Sequence, residues 1–270
     1  MHREPSNKSK KTPKTFKFKV RDVAERILRQ IFGLLHQEVL FWGKSRETYY
    51  EDGLWTQHAH DFIKEPTFLK SYNHAISATG GTDYRIAWRT HVYIWAAKHA
   101  MKTQGDFVEL GVGKGWMVSA ALPNIEWNNS GKNWWLFDRF TANEVDPMTG
   151  ALQSTLKTRR YTVNLETVKK NFEGYEKLQF IEGTIPDSLV HLRCKEISFL
   201  HIDLNAAAPE IEALEILWPR LIQGGVVLLD DFGFPMHEKQ KEAMKKLSVT
   251  LGFDILYLPT GQGLILKYIL

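Results

Sequence analysis

The stretch Gly105-Asp106-Phe-Val-Glu-Leu-Gly111-Val-Gly113-Lys-Gly115-Trp116 decides the fold. A short apolar run, Asp106–Leu110, stops at three alternate glycines, and a helical pattern begins over Trp116–Leu122. A strand that turns through glycine into a helix lets the chain double back tightly and leaves unpaired N–H groups at the helix start. The rhythm continues downstream. Strands are predicted at Asn133–Phe137, Leu178–Glu182, Ile197–Asp203, Gly225–Asp230, Phe253–Leu258 and Gly263–Ile269. Helices are predicted between them at Tyr161–Tyr175, Pro186–Leu192, Pro209–Leu221 and His237–Leu251. Apolar, β-branched strands alternating with helices imply a parallel sheet covered on both faces. Only the turn Pro259–Gly261 separates the last two strands, so the final one is expected to run antiparallel. The expected fold is a doubly wound, Rossmann-like α/β sheet of seven strands.

Upstream of this core, Asp83–Met101 reads as a helix, and residues 43–82, polar and aromatic, as helix fragments and loops. Val20, Val23, Ala24, Ile27, Ile31, Leu34 and Leu35 share one helical face. That face is expected to pack on its own domain or on a second subunit rather than on a membrane surface, because its polar side mixes both signs. Residues 1–16 are Lys, Ser, Thr and Pro with almost no apolar content, the composition of a disordered tail. The expected organisation is a disordered basic tail over 1–19, an N-terminal helical extension over 20–82 and a catalytic domain over 83–270. The net charge of +4 divides unevenly along it: residues 1–21 hold eight Lys and Arg against one Glu, leaving 27 basic and 30 acidic residues in the body. The single cysteine, Cys194, cannot form an internal disulfide. No apolar run reaches the ~18 residues of a membrane span. These features together suggest a cytoplasmic location without stable membrane insertion.

The glycine loop suits several Rossmann-type nucleotide binders. A dinucleotide fingerprint, however, requires Gly-x-Gly-x-x-Gly, and its last position here is Trp116. Glu109-Leu-Gly111-Val-Gly113-Lys-Gly115 instead resembles motif I of the class I S-adenosylmethionine (SAM) methyltransferases. Asp138 closes the second strand, where a carboxylate can accept two hydrogen bonds from ribose hydroxyls; its alternative role is a loop aspartate or helix cap. Glu109 is either structural or a partner for the cofactor's ammonium. Gly183 and Thr184, after the third strand, lie where an adenine would rest.

Asp203 ends the fourth strand, and Asp230 and Asp231 end the fifth. Ligands of open α/β sheets bind beyond the carboxyl ends of the strands, and neighbouring strands lie ~5 Å apart, so these carboxylates should converge. Converging like charges repel unless a cation sits among them, and a hard divalent ion such as Mg2+ suits an all-oxygen set. The competing reading is that one or more of the aspartates caps a helix or pairs with a basic residue.

Motif I, Leu136-Phe-Asp138, Phe180-Ile-Glu-Gly-Thr-Ile-Pro-Asp-Ser-Leu189, His201-Ile-Asp203, Leu217-Trp-Pro-Arg-Leu-Ile-Gln-Gly-Gly225 and Asp230-Asp231-Phe-Gly233 follow one another in order. Together they resemble the macrocin O-methyltransferase family over residues 83–267. The resemblance implies a SAM- and Mg2+-dependent enzyme that methylates sugar hydroxyls of natural products, with Asp203, Asp230 and Asp231 on the metal. It also implies an acidic general base two positions after the first metal aspartate, where this chain has Asn205. An amide cannot accept that proton, so His201 and His237 are the substitute candidates, each with a plainer role as a core or surface histidine. Residues 141–160 are a candidate lid, and Arg139, Arg159 and Arg160 could meet an anionic substrate. The expected partner is a small-molecule hydroxyl acceptor, a sugar in the first instance and a different diol or a lipid-linked sugar in the second. A homo-oligomer through the N-terminal helix is also expected. The rival from another class is a SAM-binding module without catalysis, for which Asn205 is the main argument. Nucleic-acid methylation is disfavoured by the acidic body and by the absence of an Asn-Pro-Pro-Tyr type motif.

Overall fold

The structure, a computed structural model, describes residues 48–140 and 163–268. The expectations for the basic tail, the helix over residues 20–35, the lid, Arg159 and Arg160 lie outside the described residues. No helix among the described residues is long and apolar enough to cross a membrane.

Seven strands form one mixed sheet. They are β3 (Asp106–Leu110), β4 (Trp134–Asp138), β5 (Leu178–Glu182), β6 (Ile197–Ile202), β7 (Leu221–Leu229), β8 (Leu256–Tyr257) and β9 (Gly263–Leu266). Their spatial order is β5-β4-β3-β6-β7-β9-β8; β3 to β7 run parallel, and β9 runs antiparallel to both neighbours. The chain therefore leaves β3 in one direction for β4 and β5, then returns to the other side of β3 for β6 and β7. That reversal lies between β3 and β6, where an open α/β sheet forms its ligand crevice. Register sets the level of the site: Leu110 pairs with Ile202, and Ile202 with Leu229. Gly111, Asp203 and Asp230, each one residue further on, consequently emerge side by side.

Alternate strand residues feed two cores, as the period of two requires. On one face Phe107, Trp134, Leu136, Phe199, Val226 and Leu228 pack under α1 (Pro66–Ala78), α2 (Ala87–Ala100), α3 (Trp116–Ala121) and α4 (Leu165–Asn171). On the other, Val108, Leu110, Phe137, Leu200, Ile202, Val227 and Leu229 pack under α5 (Ala207–Leu217) and α6 (Glu238–Leu251). All six residues of β6 are buried. The near-unbroken apolar runs of the central strands follow from this double cover.

Several elements differ from the sequence reading. The helix expected from Asp83 starts only at Ala87: Asp83 accepts hydrogen bonds from the Arg85 N–H and the Tyr72 hydroxyl, and Arg85 sits at φ +59, outside helical geometry. The stretch read as helix fragments and loops contains a 13-residue helix, α1, with Pro66 suited to its first turn. It also contains an antiparallel hairpin of β1 (Tyr49–Glu51) and β2 (Leu54–Thr56). Asp52 and Gly53 turn that hairpin with φ of +53° and +73°, the backbone an Asp-Gly pair favours. The strand expected over Phe253–Leu258 is reduced to Leu256–Tyr257 at the sheet edge, and the helix expected over Pro186–Leu192 is a 3-10 turn at Asp187–His191.

Candidate functional site

At the strand ends, a cavity of about 420 Å³ is bordered by the glycine loop on one side and by Asp203, Asn205, Asp230 and Asp231 on the other. Glu109, Arg89, Tyr84, Ile86, Trp116 and Met117 complete its lining. The glycines of the loop have different duties. Gly111, at φ +92, lies so close to β6 that an added Cβ would sit 1.9 Å from the Asp203 carbonyl oxygen. Gly113, at φ +53, has open space where a side chain would be, as expected for backbone that meets a ligand. Gly115 begins α3 and packs on the Phe172 ring. Asp138, half-buried at the end of β4, accepts a hydrogen bond from the Gly113 N–H at 2.7 Å and from the Phe140 N–H at 2.9 Å. It thus fastens the loop to the second strand. Gly183 and Thr184 follow β5; the Gly183 N–H donates to the Asp138 carbonyl, and the Thr184 hydroxyl donates to Asp187. Neither borders the cavity directly, nor does Asp138.

Asp203, Asp230 and Asp231 come together as expected, with one oxygen from each lying within 4.8 Å of the others. Burial and the two neighbouring aspartates push Asp203 well above the usual carboxylate range, and burial with Asp230 raises Asp231. Asp230 behaves oppositely. Burial opposes its ionisation, but Arg89 and His201 outweigh that effect and hold it below the usual range. Arg89 donates from Nη1 to Asp230 Oδ2 at 2.7 Å, and Gln262 donates to the other oxygen at 2.9 Å. Asn205, held at φ +55, donates its amide to Asp203 Oδ1 at 3.2 Å. Hard oxygens grouped this tightly, with Asp203 and Asp231 under-compensated, fit a hard divalent cation.

A polar network at 0–3% exposure runs from Glu109 and Asp230 in the cavity lining to Tyr93 and His201 behind them. The Tyr93 hydroxyl donates to Glu109 Oε2 at 2.5 Å, and His201 Nδ1 meets Glu109 Oε1 at 2.7 Å. His201 Nε2 faces Asp230 Oδ1 at 3.6 Å. Burial alone would lower the imidazole's pKa, yet Glu109 and Asp230 outweigh it and keep His201 protonated well above the ordinary histidine range. Both oxygens of Glu109 are therefore engaged from within the protein, and His201 has no route to an acceptor. His237, at the start of α6, pairs through Nδ1 with Gln240 at 2.9 Å. Gln240 donates to Glu210, which also accepts the Leu204 N–H. This second chain braces the Asp203–Asn205 turn from behind, and burial pushes the Glu210 carboxyl up to about 8. Neither histidine borders the cavity. Arg139 is exposed and borders no part of it either.

Among the residues of the site that escaped the sequence reading are Asp52, Arg89 and Glu210. Arg89 is gripped by Asp52 through Nε and Nη2, both at 3.1 Å, and lies over the Phe234 ring at 4.2 Å. The Asp-Gly turn was the available signal for Asp52. Nothing local marks Arg89, whose partners are 37 and 141 residues away.

Comparison with known proteins bears on the fold and the family. A curated relative from Streptomyces olivaceus, 8-demethyl-8-(2,3-dimethoxy-alpha-L-rhamnosyl)-tetracenomycin-C 4'-O-methyltransferase, is 29% identical over 139 residues. The match covers 47% of this chain and 53% of the relative, so the chain spans about half the length of that protein. Among solved structures, the O-methyltransferase NovP superposes with a TM-score of 0.60 at 17% identity, covering 75% of this chain and all of that one. The calicheamicin methyltransferase CalS11 gives a TM-score of 0.53 at 15% identity, covering 78% and 98%. These likenesses identify the fold as that of the class I methyltransferases. Residues 95–250 match the family model of the macrocin-O-methyltransferases (TylF), and the chain belongs to that family.

Proposed function

We propose that the protein is a SAM-dependent O-methyltransferase that methylates a sugar hydroxyl of a glycosylated natural product with the help of Mg2+. The observation that carries this reading is the one cavity shared by the Gly111–Gly115 loop and the three aspartates. SAM supplies the electrophilic methyl group, and a divalent ion supplies Lewis-acid activation and alignment of the hydroxyl. The chain's own residues prepare the rest. Gly113 offers bare backbone to the cofactor inside the cavity; Asp138, Gly183 and Thr184, which lie beyond its border at the ends of β4 and β5, are assigned to the ribose and adenine side on the strength of their strand-end positions. Asp203, Asp230 and Asp231 offer oxygens to the metal. Glu109 faces the cavity beside the loop, at the place for the cofactor's ammonium, and also orients His201 behind Asp230, while His237 and Glu210 brace the turn that carries Asp203. Asn205 cannot take the acceptor's proton; it orients Asp203. The sugar assignment draws on the rhamnosyl acceptor in the relative's name, and a deoxyhexose is the first acceptor to test.

Calorimetry with S-adenosylhomocysteine, with Mg2+ and with EDTA, tests the reading, followed by SAM turnover across rhamnosides and simple diols. No binding at millimolar S-adenosylhomocysteine would sink it. A second reading, a SAM-binding module without catalysis, is favoured by Asn205 at the position of the family's base. Cofactor binding with no turnover on any acceptor would select that reading instead.

A further inference from the structure

We propose that Arg89 competes with the divalent cation for Asp230 and that Asp52, on the β1–β2 turn, sets the outcome by drawing the guanidinium away. The inference rests on the metal reading above and assigns Arg89 and Asp52 as positioning residues.

The geometry is a tug between two carboxylates. Arg89 stands in the first turn of α2, and its guanidinium is clamped from the hairpin side by both oxygens of Asp52. From the other side, Nη1 reaches Asp230 Oδ2 at 2.7 Å and stands 3.7 Å from Asp231 Oδ1. The side chain is only 11% exposed, so water screens these contacts weakly. The Phe234 ring at 4.2 Å holds the guanidinium plane from a third side. A rigid fork with this many fixed partners stays where its partners put it. Asp52 is itself fixed: its turn has positive φ at both central residues, and neighbouring Glu51 ties the same hairpin to Arg85 on the approach to α2. A unit positive charge bonded to one metal-site aspartate and near another repels a divalent ion strongly at the effective dielectric of a protein interior. Asp52 offsets that charge and keeps two of the three bonded guanidinium nitrogens off the triad. The hairpin turn thus belongs functionally to the metal centre, although Asp52 lies far before Asp203, Asp230 and Asp231 in sequence.

The test is Mn2+ binding to the full chain, saturated with S-adenosylhomocysteine and followed by the EPR signal of free Mn2+, which needs no turnover. Asp52→Asn should weaken Mn2+ affinity at least about tenfold, because Arg89 then commits to Asp230. Glu51→Gln removes the same charge one residue away without touching Arg89, and should change affinity less than about threefold. Arg89→Met should tighten binding at least about tenfold. If Arg89→Met does not fold, the Asp52 and Glu51 pair still decides. Equal effects of those two variants, or no effect of Asp52→Asn on a wild type that binds Mn2+, overturn the inference and leave the metal reading intact. Binding seen in Arg89→Met but not in the wild type supports the inference. No binding in either overturns the metal reading and the inference with it.

Discussion

Replacing Gly111 with alanine should damage the fold and the site together, whereas the same change at Gly113 should damage only the site. At Gly111 the new Cβ would lie 1.9 Å from the Asp203 carbonyl oxygen and the residue would be held at φ +92. The backbone conformation alone costs about 1–3 kcal/mol for a residue with a side chain. Relieving the contact requires β3 and β6 to part at their ends. That strains the Asp203 N–H bond to the Leu110 carbonyl and the Asp230 N–H bond to the Ile202 carbonyl, each worth about 1 kcal/mol. The total is about 3–5 kcal/mol, large for a single methyl group. At Gly113, with φ +53 and no atom within 4 Å of the added carbon, the cost should be about 1 kcal/mol. Urea denaturation gives both numbers. Calorimetry on the same samples should show S-adenosylhomocysteine affinity reduced in both variants, and Mn2+ affinity reduced only in Gly111→Ala, where Asp203 is displaced. A Gly111→Ala protein within about 1 kcal/mol of wild type would refute the close-approach argument.

Tyr93→Phe leaves Glu109 Oε2 buried without its 2.5 Å donor and should cost about 1–3 kcal/mol in urea denaturation; a neutral result would mean that Glu109 finds another partner. Glu210, with its carboxyl raised to about 8 by burial, binds a proton in the folded state that the unfolded chain releases near 4.5. Its contribution is therefore full below pH 4.5 and is lost as pH rises to about 8, on the order of 4–5 kcal/mol at most. Glu210→Gln should flatten the stability–pH curve in that window, and an unchanged slope would place the titration elsewhere. Asp203→Asn removes a like charge from a buried cluster and should raise the melting temperature while abolishing Mn2+ binding and sparing S-adenosylhomocysteine binding. Retained Mn2+ binding would exclude Asp203 as a ligand.

Much of this protein is local in its causes. The strand–glycine–helix punctuation around Gly111, the apolar runs of β3, β6 and β7, and the short turn before β9 prescribe the doubly wound sheet because hydrophobic periodicity and turn chemistry act over a few residues. The convergence of Asp203, Asp230 and Asp231 was legible for a related reason: residues that end adjacent parallel strands must meet at one sheet edge. The hairpin at Asp52-Gly53 carried a turn signal, but each of its strands has only three residues and stays in place by pairing and by packing of Tyr49 into the core.

What the sequence by itself determined was the fold, the family and the set of carboxylates at the strand ends. The tertiary structure alone decided what each of those carboxylates touches. Glu109 is bonded to Tyr93 and His201, His201 is locked between Glu109 and Asp230, and Arg89 reaches from α2 to bridge Asp52 and Asp230. The physical reason is separation along the chain. Backbone pattern is set by near neighbours, whereas a buried charge is settled by whichever opposite charge the packing of distant elements brings within about 3 Å, and no local signal encodes that choice.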